Sequence, residues 1–163
     1  ALAFAPEPPV EPSLTLPVSA FLPETYIADA YHRLAFYKRL ASADSPDALT
    51  ALDTELTDRF GPPPEPARRL FQVMEIKRLA RSLALAKVEA GDRRIVIAAS
   101  PRSPLPSGAV AALLRAYPRD VRVLSEHTLM VTHPLEAWDE TFARLIDLLQ
   151  RLGACDRLDA VRH

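Results

Sequence analysis

A helix boxed between two hard boundaries constrains this chain more than any other feature. Ser45-Pro46 opens it and Gly61-Pro62-Pro63-Pro64 closes it. Serine is a strong N-cap and proline suits the first helical position, where no intrahelical N–H bond is needed. Glycine tolerates the backbone that ends a helix, and three prolines in a row cannot continue one. Helix two is therefore expected over Pro46–Phe60, with Leu49, Leu52, Leu56 and Phe60 inward. At about 100° per residue, Ala51, Glu55 and Asp58 fall together on the far face.

The preceding residues form a partner for it. Ile27, Ala30, Leu34, Tyr37 and Ala41 recur at helical spacing, which predicts a first helix from about Glu24 to Ala41 with that stripe inward. Phe36 and Leu40 widen the stripe, and Lys38 and Arg39 suit the helix's negative end. Upstream, Ser13 to Ala20 alternates apolar and polar residues like a strand. Pro17, which cannot donate to a ladder, assigns it to a sheet edge. Ala1 to Pro12 holds four prolines and lacks the basic start and apolar core of a signal peptide. It is expected to be a semi-rigid linker, so the chain reads as a domain from a longer polypeptide.

A third helix is expected from Glu65 to about Leu83, apolar over a wide arc and basic on the other (Arg68, Arg69, Lys77, Arg78, Arg81). The period then changes. Leu85–Glu89 and Arg94–Ala99 flank the turn at Gly91-Asp92, a hairpin pattern. A proline-rich loop over Ser100–Pro106 leads to a short helix capped by Ser107 and ended by Pro118. Val121–Leu124 and Thr128–Val131 suggest a second hairpin. Pro134 opens a last helix with Leu135, Trp138, Phe142, Leu145, Leu149 and Leu152 inward as far as Gly153. Residues 155–163 read as a polar, frayed tail. Helices followed by hairpins predict an α+β domain over 13–154, with about five helices on a mixed or antiparallel sheet of about five short strands.

Several chemistries are disfavoured. With 20 basic and 21 acidic side chains the net charge is −1, so no global field favours nucleic acid or an anionic membrane. The four glycines are isolated, which excludes a phosphate-cradling loop. His32, His127, His133 and His163 are scattered and Cys155 has no thiol partner, so neither a metal site nor a disulfide framework is expected. A lone cysteine fits a reducing compartment. No nucleophile elbow or Cys-His signature is present, although a spatially assembled hydrolase site leaves no local mark.

Two surface features stay open on the residues alone. The basic face of helix three is either a solvated face or a contact for DNA or protein. Glu55 and Asp58, beside the small residues Ala51 and Thr54, are either a solubilising pair or an interface suited to arginine forks.

The segment Leu34-Ala-Phe-Tyr-Lys-Arg-Leu-Ala-Ser-Ala43, followed by Glu55-Leu-Thr-Asp-Arg-Phe-Gly-Pro-Pro-Pro-Glu-Pro66, resembles the C-terminal domain of the bacterial transcription-repair coupling factor. The likeness is strong over residues 22–90 and weaker, but in order, beyond. It implies a cytoplasmic, non-catalytic regulatory domain of an ATP-driven double-stranded DNA translocase. That parent removes stalled RNA polymerase and recruits the repair protein UvrA through a UvrB-like N-terminal module. The resemblance further implies that this domain folds back on the UvrB-like module and hides its UvrA-binding surface, restraining the motor. Any ATP belongs to the parent's motor domains, with no cofactor and no metal here. By position, Glu55 and Asp58 are implied at the self-docking surface. The Pro62–Pro64 run and the Ser100–Pro106 loop depart from the family pattern, and no functional residue is carried over beyond about Ala90.

Overall fold

The computed structural model describes residues 11–91, 93–101, 105–132 and 138–161. Asp92, His133, Pro134, Leu135, the Cys155 side chain, His163 and most of the proline-rich N-terminal segment lie outside them.

Helix α2 occupies Pro46–Phe60, as its caps require. Ser45 is extended and its Oγ accepts the Ala48 N–H at 3.1 Å. At the other end the Gly61 N–H donates to the Thr57 carbonyl at 2.9 Å. Gly61 sits at φ 87, ψ −176, a region open essentially to glycine alone. A Cβ placed there would meet no atom within 4 Å, so only backbone strain opposes a side chain. Gly61→Ala is accordingly expected to cost about 1–3 kcal/mol in urea unfolding; an unchanged midpoint would show that the turn relaxes freely.

Helix α1 (Ala30–Ser42) starts later than the expected Glu24. Pro23 instead nucleates a turn in which the Tyr26 and Ile27 N–H groups both donate to its carbonyl at 3.0 Å. Asp29 then caps the helix by accepting the Tyr31 N–H at 2.8 Å. The expected stripe ran across this turn and is out of phase beyond it. Ile27 is buried from the turn, Phe36 and Leu40 carry the buried face, and Leu34 is 52% exposed.

Helix α3 (Glu65–Ser82) leads into β2 (Leu85–Ala90) and β3 (Arg94–Ala99). Helix α4 (Ser107–Ala116) is preceded by Pro106 at the cap position, with Ser107 as its first residue rather than its cap. Strands β4 (Val121–Ser125) and β5 (Thr128–Thr132) form the second hairpin. Helix α5 (Trp138–Val161) runs past Gly153, where it was expected to stop. A glycine inside a helix costs about 1 kcal/mol but does not end one.

The described residues thus form an α+β fold of five helices and one open, mixed five-stranded sheet. The first strand, β1 (Ser13–Thr15), ends before Pro17 and lies at the edge, parallel to β2. The sheet order is β1-β2-β3-β5-β4, antiparallel apart from that first pair. Period-2 alternation sends Ile95, Ile97, Leu129 and Val131 to one face, where they join Phe142, Leu145 and Leu149 of α5 in one buried cluster. A second cluster joins Leu22, Ile27, Phe36, Leu40, Leu49, Leu52 and Leu56. Helix α3 serves both: Ala67 and Leu70 enter the helical cluster, while Ile76, Leu79 and Ala80 enter the sheet cluster.

Candidate docking face on the second helix

Burial of Leu49, Leu52 and Leu56 fixes which side of α2 meets solvent. Tyr26 secures its C-terminal end, its hydroxyl donating to the carbonyls of Gly61 at 2.8 Å and Leu56 at 3.3 Å. The Tyr26 and Phe36 rings each meet Phe60 edge-on, with centroids 5.9 and 6.1 Å apart. Ala51, Thr54 and Asp58 are consequently exposed on a helix held at both ends, and Glu55 is half-buried beside them.

The two acidic residues are not equivalent. Glu55 Oε2 accepts from Arg39 Nη2 of α1 at 2.5 Å, and its Oε1 from Arg59 Nη1 at 3.4 Å. Both guanidiniums lie over aromatic rings: Arg39 is 5.3 Å from the Phe36 centroid, and Arg59 is 5.5 Å from Phe36 and 5.1 Å from Phe60. The hydrogen bond from Arg39 is the main reason the Glu55 carboxyl titrates below its ordinary value. The same bond raises Arg39. By sign, the stabilisation from this network is present above the unfolded carboxyl range and is lost as pH falls through the lowered folded value. Its members are exposed enough that solvent screens most of the gain.

Asp58 forms no ion pair among the described residues. The expected acidic pair therefore resolves into one carboxylate bound by two arginines and one that forms no ion pair among the described residues. Arg39 and Arg59 were not singled out as site residues. Arg59 follows Glu55 at i+4, a spacing that favours pairing and was legible; Arg39 comes from another helix and left no local signal.

The basic face of α3 is largely answered from within. Arg69 pairs with Glu65 at 2.5 Å, Arg78 with Glu75 at 2.7 Å and Arg81 with Glu11 at 3.3 Å. Arg68 and Lys77 alone among its five cations form no ion pair with a described residue. Among the described residues no group of three or more His, Cys, Asp or Glu is placed to hold a metal ion. None of the described helices is long and apolar enough to cross a membrane.

Residues 16–109, which include α1 to β3 and the whole candidate face, match the family model described as the TRCF domain. The chain belongs to this family. Transcription-repair-coupling factor of Myxococcus xanthus is 33% identical over 129 residues, covering 79% of this chain and 11% of that protein. That of Mycobacterium bovis is 43% identical over 112 residues, 69% of this chain and 9% of the relative. The Escherichia coli protein is 33% identical over 108 residues, 66% of this chain and 9% of the relative. This TRCF chain therefore spans about a tenth of the length of the curated relatives it matches. A crystal structure of the C-terminal domain of transcription-repair coupling factor superposes with a TM-score of 0.76 at 23% identity, covering 87% of this chain and 91% of that one. The TRCF assignment and this shared fold agree with the resemblance carried by residues 34–66.

Proposed function

We propose that this domain is a non-catalytic, autoinhibitory element of a bacterial transcription-repair coupling factor. It docks on the UvrB-like N-terminal module of its own chain, masks the UvrA-binding surface and restrains the ATP-driven DNA translocase. Engagement of RNA polymerase on DNA releases it, in the cytoplasm where transcription and repair meet. The observation that carries this reading is Asp58: an exposed carboxylate without an ion pair among the described residues, on a helix fixed at both ends, beside a Glu55 held by Arg39 and Arg59.

Rigidity matters because a preorganised face loses little side-chain entropy on docking. An arginine of the UvrB-like module can reach Asp58 directly. Glu55 shapes the patch by neutralising part of the Arg39–Arg59 charge that would otherwise repel that arginine. Interface charges of this kind set specificity more than affinity, which suits a contact that must open. A bias of a few kcal/mol keeps the closed state dominant while polymerase binding can still overturn it.

The test uses the full-length factor. Asp58→Ala leaves every described ion pair of the domain in place, so its unfolding midpoint should stay within about 0.5 kcal/mol of the parent. UvrA affinity and basal ATP turnover should both rise by about fivefold or more, the scale of a coupling energy above about 1 kcal/mol. Unchanged UvrA binding and turnover in Asp58→Ala, and also in the Glu55→Ala, Asp58→Ala double variant, would remove both residues from the docking face.

A further inference from the structure

At the opposite edge of the sheet from β1, strand β4 pairs with β5 on one side only. Its other side presents backbone donors and acceptors that no described strand takes up. Next to that edge, α4 and the second hairpin enclose an apolar groove of about 400 Å³ lined chiefly by Leu105, Val110, Leu114, Val123 and Leu129, with Glu126 at its rim. Val123 is 46% exposed and Leu124 56%. A volume near 400 Å³ is within the range of ligand-sized clefts, about 300–1,000 Å³.

Apart from Glu126 at the groove, the exposed charges on this side of the sheet are basic. Arg115 at the end of α4, Arg119 in the following turn and Arg122 on β4 are all exposed, and none forms an ion pair among the described residues. The carboxylate next in sequence, Asp120, is already contacted by Arg144 at 3.4 Å, and Asp147 by Tyr117 at 2.7 Å and Arg151 at 2.9 Å. The pleat separates the two properties. Val121 and Val123 alternate with Arg122 and Leu124, so Val123 lines the groove while Arg122 belongs to the other sheet face.

We propose that β4 and its groove bind an extended acidic–apolar peptide strand of a protein partner, added as a sixth strand to the sheet. The open backbone edge supplies the main-chain bonds and the groove takes every second side chain, the usual division of labour when a strand is added to a sheet edge. The intervening side chains emerge on the face of Arg122, where an acidic group answers this exposed arginine, which forms no ion pair among the described residues. A second copy of this chain is a poorer occupant. Two-fold pairing through β4 brings Arg122 of both copies to a single seam, and like charges across a strand pair destabilise it. This surface is formed by different elements from the α2 face and stands independently of the docking proposed there.

The probes are two synthetic six-residue peptides, one alternating glutamate with valine and the other lysine with valine, each labelled and titrated against the 163-residue chain. Anisotropy should show binding of the glutamate peptide, weakening as salt rises, with new amide-exchange protection over 121–125. Arg122→Glu should weaken that peptide about tenfold and transfer preference to the lysine peptide. Val123 is exposed enough for Val123→Asp to fold normally, and it should abolish binding of both. Equal binding of the two peptides, no binding of either at millimolar concentration, or indifference to Arg122→Glu would overturn the assignment. A concentration-dependent dimer broken by Val123→Asp, without peptide binding, would give the edge to a second copy instead and equally overturn it.

Discussion

Leu56→Ala should lower the stability of this chain by about 2–5 kcal/mol, the range for deleting a buried leucine side chain. Leu56 is fully buried, with 0% exposure, and belongs to the helical cluster. Two contributions add: the lost transfer free energy of the removed carbons, and the cavity left where neighbours cannot close in. Closure is limited here because the ends of α2 are fixed by Ser45, Gly61 and Tyr26. For a chain of this size each kcal/mol shifts Tm by about 2–4 °C, so a fall on the order of 10 °C is expected in thermal unfolding. A loss under about 1 kcal/mol would mean that α1 and α3 close over the gap, and that the α2 face is less rigid than its anchors imply.

The same variant separates scaffold from surface. Under the proposed docking, Leu56→Ala is expected to act only by loosening α2, so UvrA affinity in the full-length factor should respond in proportion to the stability lost. Asp58→Ala is expected to act on docking with the melting curve unmoved. A stability effect and a docking effect that always travelled together would argue against a role for Asp58 of its own.

What could be read from the residues, and what could not, follows from how local each cause is. The bounds of α2 were legible because Ser45, Pro46 and Gly61 act within one turn of where they stand. The start of α1 was not, because Pro23 and Asp29 are both plausible openings and only the tertiary fold selects between them. Arg33 helps to settle the choice by donating to the carbonyls of Ile27 and Ala28 at 2.7 and 3.1 Å. That turn displaces the apolar phase, which is why Leu34 faces solvent. The two hairpins were legible from alternation and turn residues. The β3–β5 and β1–β2 neighbours were not, since strand order is decided by contacts between residues far apart in sequence. The acidic face showed the same limit. Spacing placed Glu55 and Asp58 on one side of α2, but the partner that distinguishes them, Arg39, arrives from another helix.

Phe142→Ala tests whether the two cores are one. Phe142 is fully buried in the sheet cluster, and its truncation is expected to cost about 3–5 kcal/mol. Helix α3 crosses from one cluster to the other without a break, packing Ala67 and Leu70 at one end and Ile76, Leu79 and Ala80 at the other. A helix is stiff on this scale, so loss of the sheet cluster removes the platform on which α1 and α2 rest. Phe142→Ala should therefore lower the global protection of α2 amides and of β3 amides by the same amount in native-state hydrogen exchange, with a single thermal transition. If α2 kept its protection while β3 lost it, the helical corner would be a separate cooperative unit. The α2 face would then persist when the sheet opens, and docking through Asp58 could outlast unfolding of the rest of the domain. Joint loss instead makes the face conditional on the whole fold, so that anything opening the sheet also withdraws the surface proposed for docking.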